Sequence, residues 1–231
     1  MWQSNPTWGS PRIVGELQKL GIEVAKSTVE RYKPRGGRLP SATWRTFLDQ
    51  HLKDLVAVDF FVVPTATFKV LFVFIVLTHD RRRIIHFNVT KHPTAQWTAQ
   101  QIVEAFPFDT TPRFLLRDGD AIYGSRVRRK LASLGIEEVV TARASPWQNA
   151  YVERVIGSVR RELLDHVIVL NERHLKRLLS AYLDYYHPWR IHQALDRDSP
   201  DSRRVRMAKP DRIVEVPAVN GLHHYYLPRA A

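Results

Sequence analysis

Three carboxylates stand where chemistry could use them: Asp59, Asp118 and Glu153. Asp59 interrupts the apolar run LVAVDFFVV, residues 55–63, which is rich in Val and Phe and reads as a strand buried on both faces. An unpaired carboxylate there would cost roughly several kcal/mol, so a partner or a purpose should exist. Asp118 closes RFLLRD, at the C-terminal end of an expected strand, where open α/β sheets place their sites. Glu153 lies in the first turns of the helical segment QNAYVERVIGSVRREL, whose buried stripe is Val152, Val155, Ile156, Val159 and Leu163. If the three meet at one sheet edge they cannot all stay ionised without a counter-charge. Oxygen donors with no Cys or His among them suit Mg²⁺ or Mn²⁺. Two such ions, roughly 3.5–4 Å apart, would hold a phosphodiester, activating the attacking oxygen and stabilising the leaving one. Each residue also has a plain structural alternative. Asp59 could pair with an arginine, Asp118 could start the turn RDGD, and Glu153 could simply suit the positive end of the helix dipole.

Composition narrows the partners. The 231 residues carry a formal net charge of +12, with arginines spread along the chain and not gathered in one tail. That charge favours a polyanion, nucleic acid first and an anionic membrane surface second. The longest apolar run, VLFVFIVL at residues 70–77, is strand-sized, so a membrane span is not expected. The lack of cysteine excludes disulfides and Cys-containing zinc sites. The ten histidines show no metal-ligand spacing, and no Gly-x-x-x-x-Gly-Lys-Ser/Thr loop for a nucleotide cofactor occurs. MWQSNPTWGS has no apolar signal-peptide core, so a cytoplasmic protein is expected.

The elements that must position the carboxylates follow from pattern. Apolar runs at 55–63, 68–78 and 84–90 are separated by connections short enough for antiparallel neighbours. The helical segment TAQWTAQQIVEAF, the strand RFLLRD, the helix SRVRRKLASLG and the strand IEEVVTA come next. A three-strand meander followed by alternating helix and strand predicts an α/β fold with a mixed five-stranded sheet flanked by helices. Two long amphipathic helices are expected from Gln148 to about His166 and from Glu172 to about Tyr186. Asn220-Gly221, between two alternating runs, signals a hairpin. Upstream, residues 12–33 predict two short helices around Gly21, with Ser27 as N-cap of the second. This is a helix-turn-helix or an ordinary helical hairpin, and KPRGGRLPSA reads as a linker. RRR at residues 81–83 reads as a solvated hairpin turn, and Trp147 and the YYHPW aromatics read as packing residues.

Taken together, VAVDFF, LLRDGDAIYG and ASPWQNAYVERVIGSVRREL resemble the catalytic core of bacterial insertion-sequence transposases and retroviral-type integrases. That resemblance implies a ribonuclease H-like fold and a D-D-E site made of Asp59, Asp118 and Glu153. Asp118 and Glu153 are separated by 34 residues, one short of the interval usual in the family. Tyr123 stands where the family has an aromatic, while Gly119 and Asp120 depart from its pattern and leave Asp120 as a fourth carboxylate. YYHPWRIHQALDRDSP resembles the family's closing segment through Tyr186, Arg190, His192 and Leu195, with His187 where Asn is usual. The N-terminal segment resembles the family's DNA-reading helix-turn-helix, which assigns Ser27, Thr28 and Arg31 to DNA and suggests an N-terminally short copy.

The resemblance implies a domain order of helix-turn-helix and linker at 1–40, catalytic core at 41–198 and a tail with a possible hairpin at 199–231. It also implies metal-dependent DNA cleavage followed by attack of a 3′-hydroxyl on a target phosphodiester, with Mg²⁺ or Mn²⁺ (two ions) held by Asp59, Asp118 and Glu153. The partners would be element ends and target duplex, bound by a homo-oligomer. Gln148 and Asn149 fall in the segment leading to the catalytic glutamate, and the resemblance assigns both to DNA binding. Arg160, two helical turns beyond Glu153 on the same face, is a candidate for holding phosphate, and Arg154 and Arg161 would extend the basic surface. Competing readings are a non-catalytic DNA-binding remnant and a plain metal-dependent nuclease.

Overall fold

The computed structural model describes residues 10–32, 42–107, 110–142, 145–204 and 213–228. The chain divides into two compact units between Ser41 and Ala42. The first unit holds α1 (Ser10–Lys19) and α2 (Lys26–Arg31), which bury Ile13 and Val29. Gly21 between them takes φ +75°, the left-handed conformation that lets the chain reverse. Ser27 does not cap α2. Ala25 holds the cap position with extended backbone and no side-chain bond, which leaves Ser27 on an exposed surface inside the helix. The expected linker at 33–42 lies outside the described residues except for its last position, as does the start of the chain.

The second unit opens with α3 (Ala42–His51) and then the sheet: β1 (Leu55–Pro64), β2 (Val70–Thr78), β3 (Ile84–Thr90), β4 (Phe114–Arg117) and β5 (Glu137–Val140). Its order is β3-β2-β1-β4-β5, with β1, β2 and β3 antiparallel and β4 and β5 parallel to β1. This is the mixed five-stranded sheet of a ribonuclease H-like core. The tight meander follows from its short turns, and the parallel strands from crossovers through α4 (Ala95–Ala105) and α5 (Ser125–Ser133).

Alternation along β1 decides which layer each side chain meets. Val56 and Val58 pack with Phe74, Ile102, Leu115, Val127 and Leu131, in the layer of α4 and α5. Leu55, Ala57, Phe61 and Val63 pack on the opposite face, against α6 (Ala150–Glu162) and α7 (Glu172–Tyr186). Asp59 has the parity of Ala57 and Phe61, so it belongs to the α6 side of the sheet.

Three expectations shift. The run expected to begin at Phe68 begins at Val70, because Phe68 adopts φ +60° in the turn and is left 93% exposed. The long helix expected to reach His166 stops at Glu162. Leu163 leaves helical geometry at φ −131°, and a separate 3₁₀ turn spans Leu164–His166. The apolar stripe runs on through Leu163 and Leu164, so pattern alone does not reveal the break. The C-terminal hairpin of β6 (Ile213–Ala218) and β7 (His223–Pro228) forms with Asn220 and Gly221 both at positive φ. It is not a free tail: His223 stacks on Tyr185 at 4.7 Å, and its Nε2 donates to the Glu162 carbonyl at the end of α6 at 2.7 Å. Trp189 stacks on Tyr225 at 3.9 Å.

Candidate active site

The parallel register of β1 and β4 brings the first two carboxylates level. Val56 pairs with Leu115 and Ala57 with Leu116, where the ladder ends; continued two steps past it, the same register brings Asp59 level with Asp118, which is close enough to repel it. Adjacent strands lie about 4.8 Å apart, so the two aspartates are near neighbours. Arg117 fixes the end of β4. It is 6% exposed, its Nε donates to Glu138 on β5 at 2.6 Å, and its Nη1 donates to the Asp118 carbonyl at 2.5 Å. That anchor is invisible in the sequence, where Arg117 and Glu138 stand 21 positions apart.

Glu153 arrives from above. The α6 entry is tied to β1 by Asn149, whose Nδ2 donates to the Val58 carbonyl at 3.5 Å, one residue before Asp59. Glu153 lies one turn further along, exposed. Arg160 continues that face, with its guanidinium 5.7 Å from the Phe61 ring and Nη2 3.5 Å from the Val62 carbonyl.

The electrostatics join the three. Asp59 is pushed up to about 7, first by burial and then by the Asp118, Glu153 and Asp120 carboxylates, against a lowering contribution from the Phe60 amide that its Oδ1 accepts at 2.7 Å. Burial also raises Glu153. Buried Tyr123 is raised by burial and by Asp59 and Asp118, and its hydroxyl has no hydrogen-bond partner. Asp120 has a job of its own: its Oδ1 accepts the Ile122 amide at 3.0 Å and caps the 3₁₀ turn Ala121–Tyr123. Its own amide donates to Asp118 Oδ1 at 3.1 Å.

The expectation of a closed metal cluster is not met. Among the described residues, no three His, Cys, Asp or Glu side chains are gathered tightly enough to hold a metal ion. Asp118, Glu153 and Asp120 all repel the Asp59 carboxylate, and closer approach without a cation between them would cost more. The donor set is still the one a hard divalent ion takes, oxygen without sulfur.

The remaining candidates divide. Asn149 is 4% exposed and lies inside the fold, out of reach of a duplex, contrary to its assignment to DNA; its job is to dock α6 on β1. Gln148 Oε1 accepts the Ala142 amide at 2.6 Å. Arg154 and Arg161 are exposed on α6, and Ser27 and Arg31 are exposed on α2 with Thr28 half-buried. The RRR turn is not merely solvated. Arg81 pairs with Asp198 at 2.8 Å, Arg83 pairs with Asp201 at 2.7 Å, and Arg82 lies 3.5 Å over the Tyr151 ring. The turn thus clips the segment after α7 to the sheet. Sequence reading also missed Glu162, which forks onto Arg190 at 2.7 and 2.5 Å and accepts the Tyr182 hydroxyl at 2.8 Å.

With this geometry in view, residues 134–200, which contain Glu153 and the closing segment, match the family model described as an integrase core domain. That segment of the chain is similar to an integrase core domain. Solved structures agree on the fold. The HTLV-2 integrase catalytic core domain, described in complex with magnesium, matches with a TM-score of 0.50 at 12% identity, over 65% of this chain and 94% of that one. The Mos1 mariner transposase catalytic domain matches with a TM-score of 0.50 at 16% identity, over 62% of this chain and 78% of that one. A second Mos1 structure, described with Raltegravir and Mg, matches equally well at the same identity. A search of curated proteins finds no match. Asp59, the carboxylate inside β1, lies close enough to Asp118 and to Glu153 on α6 to be repelled by both.

Proposed function

We propose that this protein is a DNA recombinase, a polynucleotidyl transferase that cleaves DNA and joins a 3′-hydroxyl to a target phosphodiester. The observation that carries this reading is the Asp59 carboxyl. It is held on the α6 side of β1, level with Asp118 and under repulsion from Asp118 and Glu153. A rigid strand that keeps a carboxylate in such company destabilises the protein by itself, and the cost is offset if a cation binds there.

Asp59 and Asp118 are the residues for a first Mg²⁺ or Mn²⁺, and Asp118 and Glu153 for a second. Bound there, the ions would supply Lewis-acid activation of the attacking oxygen and charge stabilisation of the leaving one. Magnesium is the ion named for the HTLV-2 and Mos1 cores of the same fold. The chain's own groups do the rest. Arg117 holds Asp118 at the strand end, Asn149 seats α6, and Arg160 offers a cation to phosphate on the Glu153 face. Ser27, Thr28 and Arg31 on α2 are the residues proposed to read duplex DNA, and the protein is proposed to act as a homo-oligomer on it.

The test is incubation with Mg²⁺ or Mn²⁺ and labelled element-end duplex, comparing the wild type with Glu153→Gln. Strand-transfer product from the wild type alone supports the proposal. Binding without product from either protein replaces it with the DNA-binding remnant. Nonspecific degradation replaces it with a plain nuclease.

A further inference from the structure

Helix α6 has three faces. At about 100° per residue, Val152, Val155, Ile156 and Val159 form the core stripe, and Glu153 and Arg160 lie together roughly 100° round from it. Tyr151, Arg154, Ser158 and Arg161 form a third face, roughly 80–160° round from Glu153. That third face is one wall of a cleft of about 570 Å³, closed on the other side by Arg82 and Arg190.

The cleft is built for charge it does not contain. Four arginines line it, and the only carboxylate bonded to any of them is Glu162, which is committed to Arg190. Among the described residues no ion pair joins Arg82, Arg154 or Arg161 to an acid. Arg82 Nη1 is buried without a hydrogen-bond partner, and Arg82 stands at φ +58° with its guanidinium flat on Tyr151. A residue held in the left-handed region with a buried, unmatched donor is costly, as is a group of like charges. Burial and then Arg154 act to lower Arg82. His192 brings no relief: burial, then Arg190, push it down to about 4, so it is neutral at pH 7.

The walls are firm. Arg190 is forked onto Glu162 and reaches Ser158 Oγ at 3.3 Å, while Tyr182 holds the other side of Glu162. A concave surface with two held guanidinium groups, two more on exposed α6 positions and one hydroxyl suits tetrahedral phosphate oxygens better than a planar carboxylate at a single point. We propose that this cleft binds a phosphodiester of DNA backbone other than the scissile one, on a face of α6 adjoining that of Glu153. The identity of the ligand as DNA rests on the proposed function; the anion site itself rests on the cleft.

The experiment measures binding of the full chain to a 30-base-pair duplex of arbitrary sequence by fluorescence anisotropy, in EDTA, from roughly 50 to 200 mM salt. Arg154→Gln/Arg161→Gln is compared with Arg128→Gln/Arg129→Gln, which removes the same charge from exposed positions on α5. The expected result is a loss of at least tenfold in affinity for the cleft variant near 100 mM salt, with the salt slope reduced by about 2. The α5 variant should change by less than about threefold, and thermal melting should confirm that both are folded. Equal losses in the two variants overturn the inference, since net charge alone would then explain them. Wild-type-like binding by the cleft variant overturns it too. A loss seen on phosphatidylserine vesicles and not on the duplex overturns it in favour of a membrane surface. Because no turnover is measured, a chain that binds through the cleft but makes no strand-transfer product sustains this inference while removing the proposed function.

Discussion

Glu162 and Asp59 are both carboxylates drawn partly out of water on the α6 side of the sheet, and the protein treats them in opposite ways. Glu162 receives a two-point fork from Arg190 and the hydroxyl of Tyr182, and although burial opposes its ionisation, these bonds win and lower it. Asp59 receives one backbone amide, and burial together with Asp118 and Glu153 pushes it up to about 7. Glu162 is therefore a finished structural joint between α6, α7 and the closing segment. Asp59 is an open one, with no cation paired to it among the described residues. The same contrast recurs on the sheet, where Glu138 is closed by Arg117, while the Asp118 carboxylate accepts the Asp120 amide and makes no ion pair among the described residues.

The sharpest way to break this contrast is by activity. Asp59→Asn should abolish strand transfer, a loss of at least about 1,000-fold or roughly 4 kcal/mol of barrier, in the element-end assay. Glu162→Gln should reduce turnover only as far as it unfolds the protein, so its specific activity per folded molecule should stay within about threefold. If the two variants lose activity equally after correction for folded fraction, the division into joint and site is wrong. The next effect is on stability, and it falls on the other residue. Glu162→Gln leaves the Arg190 guanidinium without its charge partner and should lower stability by about 2–3 kcal/mol, measured by urea unfolding at pH 7. Both side chains keep roughly a quarter of their surface in water, which holds the loss below the value for a fully buried pair.

The site was more legible in the sequence than its supports. Asp59 announces itself because a charge among Val and Phe has no bland reading as strong as its neighbours' apolarity, and strand alternation then fixes which layer it faces. The meander and the crossovers follow from connection length. Glu162 gives no such signal, because a glutamate at a helix end beside two arginines looks like any solvated residue, and Arg190 lies 28 positions away. Arg82 is hidden the same way between Arg81 and Arg83. The three are equal in sequence, and only the turn's backbone sends one onto Tyr151 and the others to Asp198 and Asp201. Asn149 was placed on DNA by resemblance, and nothing local in QNAY distinguishes a side chain that docks a helix from one that meets a ligand.

The smaller effects test whether Asp59 is under strain in the absence of a cation. A raised carboxylate binds its proton more tightly folded than unfolded. Between its ordinary value near 3.8 and its folded value of about 7, stability must then fall as pH rises. The penalty is complete above about pH 7 and gone below about pH 4. Asp59→Asn, which can still accept the Phe60 amide through its carbonyl oxygen, should therefore be more stable than the wild type by roughly 2–4 kcal/mol at pH 8 in EDTA and equal to it at pH 4. Urea midpoints at the two pH values decide it, and a variant less stable than the wild type at pH 8 would mean that Asp59 has a partner after all.

Mg²⁺ should then act as the missing partner and stabilise only the protein that lacks one. At ten times its dissociation constant a single bound ion contributes about 1.4 kcal/mol, a rise of a few degrees in melting temperature for the wild type at pH 8. Asp59→Asn should show no such rise, because the amide offers the ion no charge, whereas Glu162→Gln should show it in full from its lower starting point. A rise of equal size in all three proteins would place the ion elsewhere on the surface and separate the carboxylate neighbourhood from metal binding altogether.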